Sequence, residues 1–283
     1  MIIDFHTHIF PDRIAASAIA KLSQEAHLSP CSDGTAAGLR SVMDRAGTDL
    51  SVILPVATSP LQVEKVNQAS VRLNEEYEGR GLISFGCIHP AYTGYKEELK
   101  RIAALGMKGI KIHPVFQGMD IDSMPFLRIL DQAAQLGLIV VTHAGQDIGF
   151  PGVIHASPAM CAHVVREIGP FPFVLAHMGG WLDWAEVPLY LAETGVFLDT
   201  SFCFGKVTPL QDGHWEEDGI PMLDTDIFLE LIHTFGADHV LFGTDSPWTD
   251  QKTCLEMLRS LPLSEHEKKQ ILGQNAQNLL RLS

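Results

Sequence analysis

The sequence predicts an α/β fold, a distorted (β/α)₈ TIM barrel, from two observations. Eight short runs of apolar residues recur along the chain, and most are apolar at nearly every position, as in strands covered on both faces. Amphipathic helix patterns such as VEKVNQASVRLNEEYEG fill most of the gaps between the runs. Eight strands alternating with helices in 283 residues fit one barrel. The eight runs are 2–6, 50–57, 82–88, 107–112, 138–142, 173–176, 196–200 and 239–244.

An open, doubly wound sheet is the alternative fold, but no glycine fingerprint follows the first strand, where His-Thr-His stands instead. Near the C-terminus, SEHE predicts a capping box between Ser264 and Glu267, which starts a terminal helix with a break expected at Gly273. No linker composition separates two halves of the chain. We therefore predict one domain over residues 1–283.

Charge and cysteine content restrict the classes of partner. The formal net charge is −14 and the sequence pI is about 5.3, whereas a phosphate backbone selects a basic surface. No apolar run approaches the ~20 residues that span a bilayer, and MIIDF is too short for a signal peptide. Five cysteines without CxxC spacing suggest reduced thiols. We expect a cytoplasmic protein with a small-molecule substrate and neither a nucleic-acid nor a membrane partner.

Three segments after strands are longer than a barrel needs, and they indicate where the pocket walls lie. They are 9–35, 144–156 and 201–222. In a barrel, loops after strands form the catalytic rim. The first strand ends in DFHTHIF, where strict alternation would put His6 and His8 on one face and Phe5 and Thr7 on the other. Two imidazoles on one face can bind a metal ion, although an isolated HxH equally fits a half-buried strand with a polar end.

Further metal-binding residue types stand at the ends of other predicted strands. VVTHAG ends in His143, VLAHMGG in His177 and LFGTDSPW in Asp245. His143 and His177 are 34 positions apart, and His177 and Asp245 are 68 apart, as expected for separate strand-helix units. Neutral imidazoles and a carboxylate are ligands that Zn²⁺ accepts, and a bound metal lowers the pKa of its water towards about 7.

Taken together, DFHTHIFP, THAG, AHMGG, GTDSPW and ILGQNAQNLL resemble motifs of the amidohydrolase superfamily. The similarity is to the amidohydrolase-related branch that includes aminocarboxymuconate semialdehyde decarboxylase and γ-resorcylate decarboxylase. It runs from residue 4 to about residue 282. The resemblance implies one metal held by His6, His8, His143 and Asp245, with His177 as the acid/base group beside the catalytic Asp245. It also implies a homo-oligomer.

The metal count depends on Lys111. Strand parity in KGIKIHP sends Lys111 and His113 into the barrel, and binuclear members of the superfamily use a carboxylated lysine there to bridge two metals. A buried ion pair with Asp4 is the other interpretation of Lys111. Because the motifs are closer to the single-metal branch, we expect one divalent ion, Zn²⁺ before Mn²⁺ or Fe²⁺, and no second metal.

The substrate-binding candidates are His113, His155 and Trp248, because they lie at strand ends or in rim loops. Arg13 or Lys206 could receive a substrate carboxylate, although a solvated surface charge explains each as well. The predicted activity is hydrolysis of a small polar or carboxylated molecule. Non-oxidative decarboxylation of a small aromatic or unsaturated acid is the alternative, and a non-catalytic metal-binding barrel is the third interpretation.

Overall fold

The computed structural model describes residues 1–282, in which strands and helices alternate as predicted. The strands are β1 (Ile3–Thr7), β2 (Leu28–Ser29), β3 (Leu50–Ile53), β4 (Leu82–Ser84), β5 (Gly86–Cys87), β6 (Gly109–Ile112), β7 (Ile139–Thr142), β8 (Phe173–Leu175), β9 (Phe197–Asp199), β10 (Thr208–Pro209) and β11 (Val240–Leu241). The α-helices are α1 (Asp12–Ala26), α2 (Ala36–Ala46), α3 (Val63–Glu76), α4 (Tyr95–Ala104), α5 (Pro114–Gln117), α6 (Met124–Gln135), α7 (Pro158–Ile168), α8 (Val187–Leu191), α9 (Thr225–Phe235), α10 (Gln251–Ser260), α11 (Glu265–Lys269) and α12 (Asn275–Leu280).

The parallel strands close into a barrel. One sheet has the order β1-β3-β4 and the other β5-β6-β7-β8-β9-β11, and β4 and β5 belong to one chain run that is interrupted at Phe85. On the opposite side, Phe5 N donates to Phe242 O at 2.8 Å, and His8 N donates to Ser246 O at 2.7 Å. These bonds join β1 to the segment that follows β11. All eight predicted strand runs therefore form the barrel, and the predicted fold class is confirmed.

Apolar side chains fill the barrel below its mouth. Phe5, Phe85 and Val141 belong to one buried cluster that draws on strands from around the barrel, and Leu280 of α12 joins it. Asn275 at the start of α12 donates to Ala237 O and Val240 O, which places this helix at the N-terminal ends of the strands. Since that end is closed by apolar packing, the polar strand-end residues meet at the opposite end.

The strict alternation predicted for β1 is wrong. In the pairing with β3, Asp4 is opposite Ser51 and Thr7 is opposite Ile53, so Phe5 and His6 share one partner residue. This is a β-bulge, and it turns both Phe5 and His6 into the barrel. A glycine permits the close approach, because a Cβ at Gly243 would lie 3.0 Å from His6 Cβ.

Two of the long rim segments contain regular structure. The segment 9–35 includes α1 and β2, and β2 pairs antiparallel with β10 of the segment 201–222. The expected loop at 9–35 is therefore largely helical, and it is tied to the loop after β9. The third segment, 144–156, contains neither helix nor strand.

The C-terminal helix begins with the predicted capping box between Ser264 and Glu267. The expected break at Gly273 is instead a π-helical turn, Gln270–Gln274, between α11 and α12. Across residues 1–282, the helices all fall short of the length and apolar character needed to cross a bilayer.

Candidate active site

Three of the four predicted metal ligands meet at the barrel mouth. His6 Nε2 lies 3.2 Å from His8 Nε2, and Asp245 Oδ1 lies 3.3 Å from His6 Nε2 and 2.9 Å from His8 Nε2. His6 and Asp245 are buried, whereas the His8 side chain is 20% exposed. Solvent therefore reaches the cluster at His8.

The Nδ1 atoms of His6 and His8, which point away from this cluster, each lie within hydrogen-bonding distance of an oxygen. His8 Nδ1 lies 2.9 Å from Leu54 O, and His6 Nδ1 lies 2.8 Å from Asp199 Oδ2. Carbonyl and carboxylate oxygens only accept hydrogen bonds, so the neutral His6 ring carries its proton on Nδ1, whereas both ring nitrogens of His8 face an acceptor, Leu54 O or Asp245 Oδ1. The Nε2 atoms of His6 and His8 face each other and the Asp245 carboxylate.

His143 and His177 also face each other through ring nitrogens. His143 Nε2 donates to Gln146 O at 2.9 Å, and His177 Nδ1 donates to Ser201 O at 2.9 Å. The remaining nitrogens, His143 Nδ1 and His177 Nε2, lie 3.0 Å apart. Because both are acceptors in these tautomers, a proton or a cation placed near them would be stabilised.

Burial keeps His6, His143 and His177 neutral. It lowers the pKa of His6 to about 4 and lowers the pKa values of His143 and His177 below the ordinary histidine value. Burial opposes ionisation of Asp245, but its hydrogen bond to His8 and the nearby His6 outweigh burial and hold its pKa well below the ordinary range. The site is thus a set of imidazole nitrogens beside one carboxylate, which fits a divalent metal ion.

Lys111 enters the barrel as predicted. Its buried Nζ lies 3.3 Å from His6 Nε2, and burial lowers its pKa to about 8 against the opposing effects of Asp199 and Asp245. The suggested ion pair with Asp4 is wrong, because that carboxylate accepts hydrogen bonds from Thr244 and Gln251. The role of Lys111 as a bridge between two metals stays a prediction.

His113 is held in a stack beside His143. Its ring centroid lies 3.9 Å from that of Phe116 and 4.2 Å from that of His143. Its Nε2 lies 3.4 Å from Asp147 Oδ2, and burial raises the pKa of this carboxyl to about 6. His113, His143 and Asp147 form a second group of metal-binding residue types, but His143 Nε2 already donates to Gln146.

The other proposed substrate contacts lie further along the rim. His155 Nδ1 lies 2.6 Å from Asp120 Oδ1, so this ring pairs with the loop between α5 and α6. Trp248 is half-buried, and its backbone N–H donates to the backbone carbonyl of Asp245. Arg13 and Lys206 are exposed. A substrate-binding role for His113, His155 or Trp248 stays a prediction.

Sequence reasoning missed Asp199, Ser201 and Asp147. Asp199 is buried and ends β9, so it carried the same strand-end signal as His143 and His177. Ser201 Oγ lies 2.9 Å from His6 Nδ1 and 3.0 Å from His177 Nδ1. Asp147 follows His143 by four residues in an irregular loop, and no sequence signal distinguished it from a surface aspartate.

Two site residues have left-handed backbone, which is uncommon for non-glycine residues. The φ angle is 59° at His177 and 65° at Asp245. Such conformations persist where surrounding contacts enforce them, and they cluster at functional sites. The sequence predicts both residues to be catalytic, and the nearby Met178 and Phe202 have the same backbone conformation.

A barrel whose mouth carries converging histidines and an aspartate defines the class of metal-dependent barrel enzymes. Residues 3–282 match the sequence model of a family described as amidohydrolase, and the chain belongs to this family. The predicted superfamily and the expectation of a metal-dependent enzyme are thereby confirmed. A search of curated protein sequences found no match.

Solved structures share the fold at low sequence identity. An uncharacterised TIM-barrel protein from Bordetella bronchiseptica is 16% identical, with a TM-score of 0.76 over 99% of this chain and 98% of that one. A dihydroxybenzoic acid decarboxylase from Polaromonas, with bound manganese and the inhibitor 2-nitroresorcinol, is 16% identical, with a TM-score of 0.70 over 99% and 97%. A protein from Acinetobacter baumannii, described as a probable 2-pyrone-4,6-dicarboxylic acid hydrolase with bound citric acid, is 17% identical, with a TM-score of 0.67 over 99% of both chains.

Proposed function

We propose that this amidohydrolase is a metal-dependent hydrolase of a small polar or carboxylated substrate. One observation carries the proposal: four imidazoles present ring nitrogens to the barrel mouth beside the ionised Asp245. The opposite ring nitrogen of each imidazole faces an oxygen acceptor of Asp199, Leu54, Gln146 or Ser201. Lys111 is the one ammonium or guanidinium group that contacts these imidazole nitrogens in the described residues.

The ligands that we assign to the metal are His6, His8, His143 and Asp245, and Zn²⁺ suits this nitrogen and oxygen set. When bound, the metal supplies Lewis-acid polarisation of a substrate or water oxygen. The hydrogen bonds to Leu54 O and Asp199 orient the His8 and His6 rings in advance. We propose one ion per chain.

His177 is the proton-transfer group in this proposal. Its Nδ1 proton is held by Ser201 O, so its Nε2 can accept a proton from an attacking water and return it to the leaving group. The left-handed backbone at His177 fixes where this ring enters the mouth. Phe202 packs edge-on against the ring with centroids 6.3 Å apart, which limits its exposure to bulk water.

Non-oxidative decarboxylation is the second candidate, because decarboxylases stand beside a hydrolase among the similar structures. They include the manganese-containing dihydroxybenzoic acid decarboxylase as well as the hydrolase described above. In a decarboxylation, His177 Nε2 would first take up a proton from solvent and would then deliver it to the carbon that loses CO₂. The two reactions would therefore use the same residues and differ in the atom that receives the proton from His177.

Isotope labelling separates the two reactions. Zinc-loaded protein is incubated with lactones, esters, amides and aromatic carboxylates in H₂¹⁸O, and in parallel in D₂O. Hydrolysis places ¹⁸O in the product acid, whereas decarboxylation releases CO₂ and places deuterium on the vacated carbon. We expect ¹⁸O incorporation that is lost after chelation. CO₂ release with deuteration would replace the hydrolase by the lyase, and bound metal without turnover on the whole panel would contradict both.

We further propose that the protein is a cytoplasmic homo-oligomer. Its five cysteines are free and four of them are buried, which suits a reducing compartment. The oligomeric state is proposed from the family resemblance. Light scattering after size-exclusion chromatography measures it, and a mass of 31.1 kDa in solution would contradict it.

A further inference from the structure

We infer that Asp199 is a positioning residue that controls both ends of the active site, the metal ligand His6 and the proton-transfer group His177. The inference rests on the proposed function, because it assigns a role toward that same site. Asp199 makes no contact with solvent and ends β9. Its two carboxylate oxygens face two different sets of partners, one that includes the backbone of His177 and one at the ring of His6.

Asp199 Oδ1 accepts three hydrogen bonds. The donors are His177 N at 3.1 Å, Ser201 N at 3.1 Å and Ser201 Oγ at 2.5 Å. Through the first bond, Asp199 holds the backbone of His177 where its φ angle is 59°. The hydroxyl of Ser201 directs its proton to Asp199 and turns its oxygen to the Nδ1 atoms of His6 and His177, whose protons it shares with Asp199 Oδ2 and Ser201 O.

Asp199 Oδ2 faces His6 Nδ1 at 2.8 Å. A carboxylate oxygen cannot donate, so the proton of His6 is confined to Nδ1 and its lone pair to Nε2, which faces His8 and Asp245. The other nitrogen would carry the proton if a donor replaced Oδ2. One carboxylate thus fixes the tautomer of a proposed ligand and the backbone of the proposed acid/base residue.

Asp199→Asn tests this role because the site dictates how the amide must lie. Three donors surround the position of Oδ1, so the amide oxygen takes that position and the NH₂ group takes the position of Oδ2. The NH₂ then donates to His6 Nδ1, which moves the His6 proton to Nε2 and blocks the metal-facing lone pair. The change is isosteric, so the barrel should fold.

The first measurement is the dissociation constant for Zn²⁺, obtained by competition with a fluorescent chelator. We expect Asp199→Asn to bind Zn²⁺ about 10–100-fold more weakly than the wild type, the usual effect of losing an outer partner of a ligand. Ser201→Ala should weaken binding less, because the His6 bond to Asp199 remains. Glu98→Gln is the matched control, since Glu98 is a buried carboxylate that contacts Asn67 and Arg101 away from the mouth. It should leave the constant unchanged.

The second measurement needs no metal and no substrate. Two-dimensional ¹H–¹⁵N spectra of protein labelled at histidine nitrogen report which ring nitrogen carries the proton, and the signals of His6 are assigned from their loss in His6→Asn. We expect His6 in the Nδ1–H tautomer in metal-free wild type and in the Nε2–H tautomer in metal-free Asp199→Asn. An unchanged tautomer would overturn the inference even if Zn²⁺ binds the wild type. Absence of Zn²⁺ binding by the wild type would contradict the proposed function and leave the tautomer result to decide the inference.

Discussion

His143 Nδ1 and His177 Nε2 face each other at 3.0 Å, while the other nitrogen of each ring donates to a backbone carbonyl. Two lone pairs at this distance repel unless a proton or cation lies near them. A metal bound by His143 would use one lone pair and leave the other free to move protons. Two histidines with the same strand-end setting would thereby have different roles.

Replacement of each histidine by asparagine distinguishes these roles. His177→Asn should keep most of the metal while kcat falls about 10²–10⁴-fold, the range for loss of a general acid or base. His143→Asn should mainly lose metal. Metal content by mass spectrometry and kcat on a substrate found in the labelling panel check both. An equal fall in metal content would show that His177 is a ligand, and would favour a binuclear site bridged by Lys111.

Gly145 should tolerate no side chain, because it lies where the loop after β7 touches the loop after β8. Its φ is +81°, and a Cβ would lie 2.3 Å from Trp181 N. Gly152 is the matched control, with φ +78° and nothing within 4 Å of a Cβ. Gly152→Ala should lower the free energy of unfolding by about 1 kcal/mol, and Gly145→Ala by about 1–3 kcal/mol more. Urea denaturation measures both, and equal losses would show that the close approach is relaxed at no cost.

The buried Asp147 should make stability pH-dependent. Burial raises the pKa of this carboxyl from 3.8 to about 6, so the folded protein binds a proton between these values that the unfolded chain does not. The stabilisation that this bound proton provides is therefore complete at low pH and is lost as the pH rises through about 6. Relative to Asp147→Asn, the free energy of unfolding of metal-free wild type should rise by about 1 kcal/mol when the pH is lowered from 8 to 5.

Urea denaturation at both pH values checks the prediction for Asp147. Asp44→Asn serves as the control, because the Asp44 side chain is 72% exposed, whereas the Asp147 side chain is buried. If the difference in free energy of unfolding between wild type and Asp147→Asn does not vary with pH, the shifted pKa is refuted.

The barrel could be predicted from the sequence because its strands are buried on both faces and are therefore apolar at most positions. The pairing of β2 with β10 could not, since it joins two-residue strands that are remote in sequence and leaves no local pattern. The bulge at Phe5 and His6 was also hidden. It is accompanied by the close approach of Gly243, from the segment that follows β11, which is a tertiary contact.

The sequence indicates those candidate site residues that stand at the ends of predicted strands. His6, His8, His143, His177 and Asp245 follow apolar runs, and the structure gathers them at one end of the barrel. Asp199 ended its strand in the same way, but its hydrogen bonds to His6 and His177 exist only in the closed barrel. His155 was placed correctly in a rim loop, whereas its pairing with Asp120 depends on the neighbouring loop.

The proposed function depends most directly on a metal ion bound at the barrel mouth. Equilibrium dialysis against Zn²⁺, followed by mass spectrometry of the protein fraction, measures it for wild type, His6→Ala, His8→Ala and the surface control His266→Ala. Circular dichroism confirms that each variant is folded. We predict about one ion per chain in the wild type and the control, and loss of that ion in His6→Ala and His8→Ala with the barrel intact. Full metal content in either variant, or unfolding that accompanies metal loss, would contradict a catalytic metal held by this pair.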